Sequence, residues 1–288
     1  MLTVLALSLV FPAQSFAKTY PTGLIRTPQT KAALKSVPTK EFTDADGLVP
    51  GKATLRGLTG AVEDQGNCGS CWDFALTATL RGSLMTAGKD PGRLSYNYLL
   101  NCATDQLGCQ GGYFDAAAWL LTPKGAPIYG ADGVYRARQS KCQAKPVAGS
   151  AVEYRMLGPG GTTPSFRDIA YVVGVLKRPV AVVVAADDSW QQQYWGGKKP
   201  WSGCTDQTED GINHMVMIEG YDCESSVDSN GNCVFDQAGN LPPTVGTWVI
   251  RNSWGTAWGD KGYMWSKATN KKGERCNMIG YDAAYFDF

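Results

Sequence analysis

The chain has 288 residues, 43% of them hydrophobic and 18% charged, a composition that can bury one large core or two smaller ones and excludes a disordered chain. Its formal net charge is +1 with a pI near 7.4, and basic residues cluster only as pairs such as Lys198-Lys199 and Lys271-Lys272. That leaves no electrostatic footprint for DNA, RNA or an anionic membrane.

Residues 2–11 form an apolar run followed by Pro12-Ala-Gln-Ser-Phe-Ala17, whose small Ser15 and Ala17 suit signal peptidase. We read residues 1–17 as an export signal cut after Ala17, although no Lys or Arg precedes the run. A bilayer span takes roughly 20 apolar residues, so no membrane attachment is expected once the signal is removed. Residues 18–52 are polar and punctuated by Pro21, Pro28, Pro38 and Pro50, with only 30–36 compatible with a helix; they read as a short pro-segment or linker. From Cys71 onward Trp72, Leu76, Leu80 and Leu84 recur at helical spacing, which puts Cys71 at a helix N-terminus. Residues 164–176 predict a second helix opening at Thr163 or Ser165, and the valine-rich 179–185 a buried strand. Residues 214–221, 246–252 and 262–266 read as short strands between glycine-rich turns, with 222–244 inserted between two of them. The expectation is an α+β protein of two lobes, mostly helical over 53–155 and β-rich over 156–288.

Nine cysteines, at positions 68, 71, 102, 109, 142, 204, 223, 233 and 276, suit an oxidising compartment, secreted or periplasmic. Eight can pair and one must remain, which agrees with Cys71 staying reduced; spacing alone does not fix the connectivity. A thiol becomes a strong nucleophile only when ionised, and a helix N-terminus beside an imidazolium favours the thiolate. The chain's one histidine, His214, is therefore the partner expected to form a thiolate–imidazolium pair with Cys71. Asn252 suits the orienting role, because its amide oxygen accepts from a ring nitrogen without neutralising the ring. The Gln65 amide and the Cys71 backbone N–H are the natural donors to an oxyanion.

At these residues the chain resembles the papain family of cysteine peptidases, from about residue 55 to the C-terminus. Four blocks match in order: Gln65-Gly-Asn-Cys-Gly-Ser-Cys-Trp72; Leu94-Ser95, Cys102 and Cys109-Gln-Gly-Gly112; Asn213-His214; and Asn252-Ser-Trp-Gly-Thr-Ala-Trp-Gly-Asp-Lys-Gly-Tyr263. The resemblance implies a papain-like two-lobed α+β fold, with a helical left lobe, a β-barrel-type right lobe and the cleft between them. It implies bridges Cys68–Cys109, Cys102–Cys142 and Cys204–Cys276, which leaves Cys223 and Cys233 for each other. It implies that Gly112 holds the substrate backbone, that Trp254 shields the Asn252–His214 bond and that Trp258 lines the leaving-group side. It also implies an S2 pocket of Phe114, Val183, Ile212 and Met215 that takes a bulky apolar P2 side chain, floored by Tyr281 or Asp282. The function so implied is a secreted, monomeric endopeptidase acting on peptides or proteins and open to inhibitors of cystatin type.

Two departures stand out. The long helical pro-region of plant and animal members has no room before residue 55, which suggests a bacterial-type member with a short pro-segment. Asp73 sits where the family has a small residue; the helix dipole favours its charge, and the neighbouring thiolate opposes it.

Other chemistries fit less well. Cys68-Gly-Ser-Cys71 is also a CxxC, yet no second CxxC or histidine pair completes a zinc site and no βαβ pattern surrounds it, so no metal and no cofactor are expected. Asp228, Asn230, Asn232 and Asp236 hint at a calcium loop but lack its glycine and its closing glutamate; a disulfide-pinned hairpin is the better reading. Phe114, Val183, Ile212, Met215, Trp254 and Trp258 also serve as plain core residues. A thiol acyltransferase, an exopeptidase with 222–244 closing one end of the cleft, and a silent binding module are the rival functions.

Overall fold

A computed structural model describes residues 19–192 and 199–288, so the export signal read over 1–17 lies outside the described residues. In chain order the elements are α1 (Pro28–Leu34), β1 (Thr39–Lys40), β2 (Lys52–Thr54), α2 (Cys71–Thr86), α3 (Asn97–Cys102), β3 (Glu153–Leu157), α4 (Phe166–Gly174), β4 (Val180–Val184), α5 (Asp188–Gln192), β5 (His214–Asp222), β6 (Thr247–Arg251), β7 (Tyr263–Lys267) and β8 (Tyr281–Asp287). The strands form one sheet ordered β1-β3-β8-β4-β5-β6-β7, with β2 paired to β5. The right lobe expected to be of barrel type is an open sheet. Its last strand, β1, is two residues long and pairs with β3, too short to reach round to β7. Among the described residues, Trp201 meets the edge of β7, exchanging backbone bonds with Trp265 (2.7 Å) and Lys267 (2.9 Å).

Alternation along the central strands divides the interior in two. Val180, Val182 and Val184 of β4 face a core with Phe166, Ile218, Trp248 and Met264. Ala181 and Val183 face the other core, built on Trp72, Leu76, Leu80 and Leu84 of α2. That helix is buried along most of its length, as a helix between two packed layers must be, and it carries Cys71 at its first turn. Much of the remaining left lobe is not helical: α3 is short, and 103–152 is largely turns and isolated bridges.

Local chemistry sets the boundaries. Ser165 opens α4 through a capping box with Asp168, which decides between the two expected starts. Thr27 and Pro28 start α1 two residues ahead of the helix-compatible stretch. The four bridges are Cys68–Cys109, Cys102–Cys142, Cys204–Cys276 and Cys223–Cys233, and Cys71 is free. In the insertion, the Asp228 carboxylate accepts from the Asn230 and Asn232 backbone N–H groups (2.9 and 2.8 Å), which spends it on a turn. The insertion is tied to the rear of the sheet, through Gly51 N–H to the Gly231 carbonyl and Arg167 N–H to the Gly239 carbonyl.

Candidate active site

Cys71 and His214 begin α2 and β5, and both are fully buried. The backbone N–H of Met215, next to His214, points at the Cys71 sulfur, which brings the start of the helix to the start of the strand. His214 Nε2 is 2.8 Å from Asn252 Oδ1, while Nδ1 has no hydrogen-bond partner among the described residues. Trp254 stacks on the imidazole at 4.5 Å between ring centroids. Trp258 packs edge-on behind Trp254 at 5.3 Å, and its indole N–H bonds the Gln191 carbonyl.

The cleft is covered by the chain itself. Residues 20–26 run across it in extended form: Tyr20 stacks on Trp254 at 4.7 Å, and the Pro21 carbonyl accepts from Gln65 Nε2 at 3.0 Å and from the Trp254 indole at 3.3 Å. The Gly23 carbonyl accepts from Gly112 N–H (3.0 Å), Leu24 N–H donates to the Asn213 carbonyl (3.1 Å), and Ile25 N–H donates to the Gly112 carbonyl (3.1 Å). Gly112 is obligatory there, since a Cβ would lie 2.5 Å from the Trp72 ring. The Gln65 amide is locked from both ends, its Oε1 accepting from Ser253 Oγ (2.7 Å) and its Nε2 also donating to the Cys68 carbonyl (2.9 Å).

Covering the site alters its protonation. Burial pushes the Cys71 thiol up to about 11, although backbone N–H groups of Met215 and Gly23 pull the other way. Burial also draws His214 down to about 4 against the Asn252 hydrogen bond. In the covered cleft burial thus works against the charged form of both groups, and the thiolate–imidazolium pair needs water to reach them.

Phe114, Val183, Ile212 and Met215 lie in one buried cluster, and Leu24 packs against it. Asp282 does not face this pocket. It is the extra residue of a bulge where β4 and β8 change register between Val182 and Val183, with φ at +47°, and its carboxylate accepts from Tyr113 Oη and Gly161 N–H. The bulge turns Asp282 inward and leaves its neighbour at the cleft, where the Tyr281 hydroxyl accepts from Arg26 at 2.9 Å. A one-residue bulge is invisible in a sequence, and the residues 20–26 that fill the cleft carry only one readable signal, a proline-punctuated polar stretch.

Asp73 is buried; one oxygen accepts from Thr77 (3.1 Å) and the other has no partner. Burial holds its carboxyl well above the usual carboxylate range, which disfavours the charge that would oppose a thiolate. A carboxyl whose pKa rises on folding costs stability as pH climbs from its unfolded pKa through its folded one. Asp73→Asn is therefore expected to raise the melting temperature at pH 7 and to leave it unchanged below pH 4, as thermal melts across pH would show.

A family model described as "Papain family cysteine protease" matches residues 52–285. The chain belongs to that family. It is 30% identical to the oryzain gamma chain of Oryza sativa over 72% of this chain and 52% of that protein. Among solved structures it resembles the bromelain protease of Ananas comosus in complex with the E64 inhibitor (26% identity, TM-score 0.63, 83% of this chain and 100% of that one). It also resembles digestive procathepsin L2 of Tenebrio molitor larval midgut (26%, TM-score 0.68, 93% and 78%). The chain spans about half the length of the curated relatives it matches first. These relatives are plant and animal proteins, so the bacterial-type assignment finds no support in them.

Proposed function

We propose that the chain is the covered precursor of an exported, monomeric cysteine endopeptidase. The observation that carries this is the one free cysteine, at a helix start beside an imidazole held by Asn252, under a segment whose carbonyl occupies the Gln65 donor. With the segment displaced, water reaches the pair and the proton passes from Cys71 to His214 Nδ1. The thiolate attacks the scissile carbonyl carbon, and Gln65 Nε2 with the Cys71 backbone N–H receives the oxyanion. His214 then protonates the leaving amine, and water, deprotonated by the same imidazole, releases the acyl group. Gly112 pairs with the substrate backbone as it pairs with residues 23–25, and the pocket under Leu24 takes a bulky apolar P2 side chain.

An endopeptidase is favoured because residues 20–26 pass along the cleft from Trp254 to Glu209, while the insertion is anchored on the other side of the sheet. Four disulfides support an oxidising compartment. Peptides, proteins and cystatin-type inhibitors are the partners such a cleft suits. The test is hydrolysis of peptides with an apolar P2 residue by the processed protein: thiol-dependent turnover supports the reading, and its absence, with Cys71 inert to a thiol-directed epoxide, refutes it.

Maturation is expected to cut within the exposed run 43–48. Upstream, Phe42 is fixed by stacking on Tyr171 at 4.2 Å; downstream, Val49 is buried and its carbonyl accepts from Cys233 N–H at 2.8 Å. Exposed chain between two anchors is where a protease reaches first. N-terminal sequencing of the processed form checks this; a start before Phe42 or after Val49 contradicts it.

A further inference from the structure

We propose that the seat now filled by Arg26 is a substrate subsite for a basic side chain, formed by Glu209 and Tyr281. The proposal rests on the peptidase reading and adds to it a charge preference. Arg26 is held at both terminal nitrogens: its guanidinium donates to Glu209 Oε2 (3.2 Å), the Glu209 carbonyl (3.2 Å) and the Tyr281 hydroxyl (2.9 Å), and lies 4.6 Å from the Tyr281 ring centroid, while Nε has no hydrogen-bond partner among the described residues. Its side chain is only 9% exposed although it belongs to a surface segment. A carboxylate, a carbonyl, a hydroxyl and an aromatic face converging on one point are what a planar cation requires.

Three features make this a subsite and not merely a fastening of the segment. The groups that form the seat come from outside the segment, on the turn Glu209–Gly211 that leads into His214 and at the start of β8. The main chain leading to Arg26 is bonded to Asn213 and Gly112, the backbone edges a bound peptide would use, so Arg26 is displayed as a peptide side chain would be. In extended chain residues 24 and 26 fall on one side, which sets the seat next to the apolar pocket under Leu24 and farther from Cys71. Finally, both cations facing Glu209, Arg26 and Lys31 of α1 (3.7 Å), lie ahead of the expected cut at 43–48. When the chain ahead of that cut leaves, an acidic side chain stands at the cleft with its two cations removed and Tyr281 still beside it.

The experiment compares matched peptides with leucine fixed at P2 and arginine or its neutral isostere citrulline scanned through the neighbouring upstream positions, using protein processed from the full chain. At one position arginine is expected to raise kcat/KM about tenfold over citrulline, the worth of one charge-assisted hydrogen bond at a half-exposed carboxylate. Glu209→Gln should bring that ratio to about one and Glu209→Lys below one, as expected for a single charge pair; added salt should erode the wild-type preference. Equal rates for arginine and citrulline at every position, or an arginine preference that survives Glu209→Gln, would overturn the proposal. The same peptides are also tested for protecting Cys71 from iodoacetamide in the processed protein, whose cleft residues 20–26 no longer fill. Protection that favours arginine without any hydrolysis supports the subsite while refuting the peptidase reading; protection indifferent to charge refutes the subsite alone.

Discussion

In the full chain, Gly23→Val is expected to raise the rate of Cys71 alkylation about 10- to 100-fold. A Cβ at position 23 would lie 1.8 Å from the Gly69 carbonyl oxygen, a backbone atom that has no rotamer through which to retreat. The segment passes so close that its main chain nearly touches the Cys68–Cys71 turn, which is pinned by the Cys68–Cys109 bridge and by Gly69 N–H to the Cys109 carbonyl at 2.9 Å. Neither side yields cheaply, so residues 20–26 must lift. Overpacking of this kind costs about 1 to 3 kcal/mol, which shifts the covered-to-open equilibrium by about one to two orders of magnitude. Lifting also rehydrates the thiol that burial holds up to about 11, so the thiolate fraction grows at the same time. Stopped-time labelling with iodoacetamide and intact-mass detection reads this directly; an unchanged rate would mean that the segment does not govern access to the sulfur.

The second large effect is expected at His214. In the processed protein, His214→Ala removes the proton acceptor for Cys71 and the donor for the leaving amine together, and kcat should fall by at least about 10^4. The ring is sandwiched near Trp190 and Trp254 and bonded to Asn252, so its loss also opens a cavity; melting and disulfide content must be measured alongside to separate chemistry from folding. Asn252→Ala should cost less, because the stacking of Trp254 still orients the imidazole. A His214→Ala protein that keeps its fold and more than about 1% of its kcat would remove His214 from the general acid–base role assigned to it.

Most of the candidate site could be named from the sequence because the proposed chemistry demands rare residue types at fixed spacing. A single histidine, an odd cysteine at the start of an amphipathic run and an asparagine beside tryptophan leave few arrangements. The elements that position them were legible where apolar residues run densely, as in α2, β4 and β5. What was not legible depends on long-range pairing. Strand β3 and strand β8 lie more than a hundred residues apart, and neither carries a strong alternating pattern, so their partnership exists only in three dimensions. The open edge of the sheet, closed by Trp201 where a barrel was expected, has the same origin. The register shift that turns Asp282 inward and Tyr281 outward is a one-residue event, and a one-residue slip reverses which side chain faces the cleft. The covering role of residues 20–26 also escaped the sequence, because it rests on main-chain bonds that any residues can make and on one glycine whose need appears only beside Gly69.

The most direct test of the central claim is rapid-quench intact mass spectrometry of the processed protein mixed with a peptide ester whose acyl group is released slowly. The account predicts one added acyl mass per chain, located on Cys71 by peptide mapping, discharged by water on standing and absent from Cys71→Ala. Turnover with no covalent adduct, or an adduct on any other residue, would contradict it.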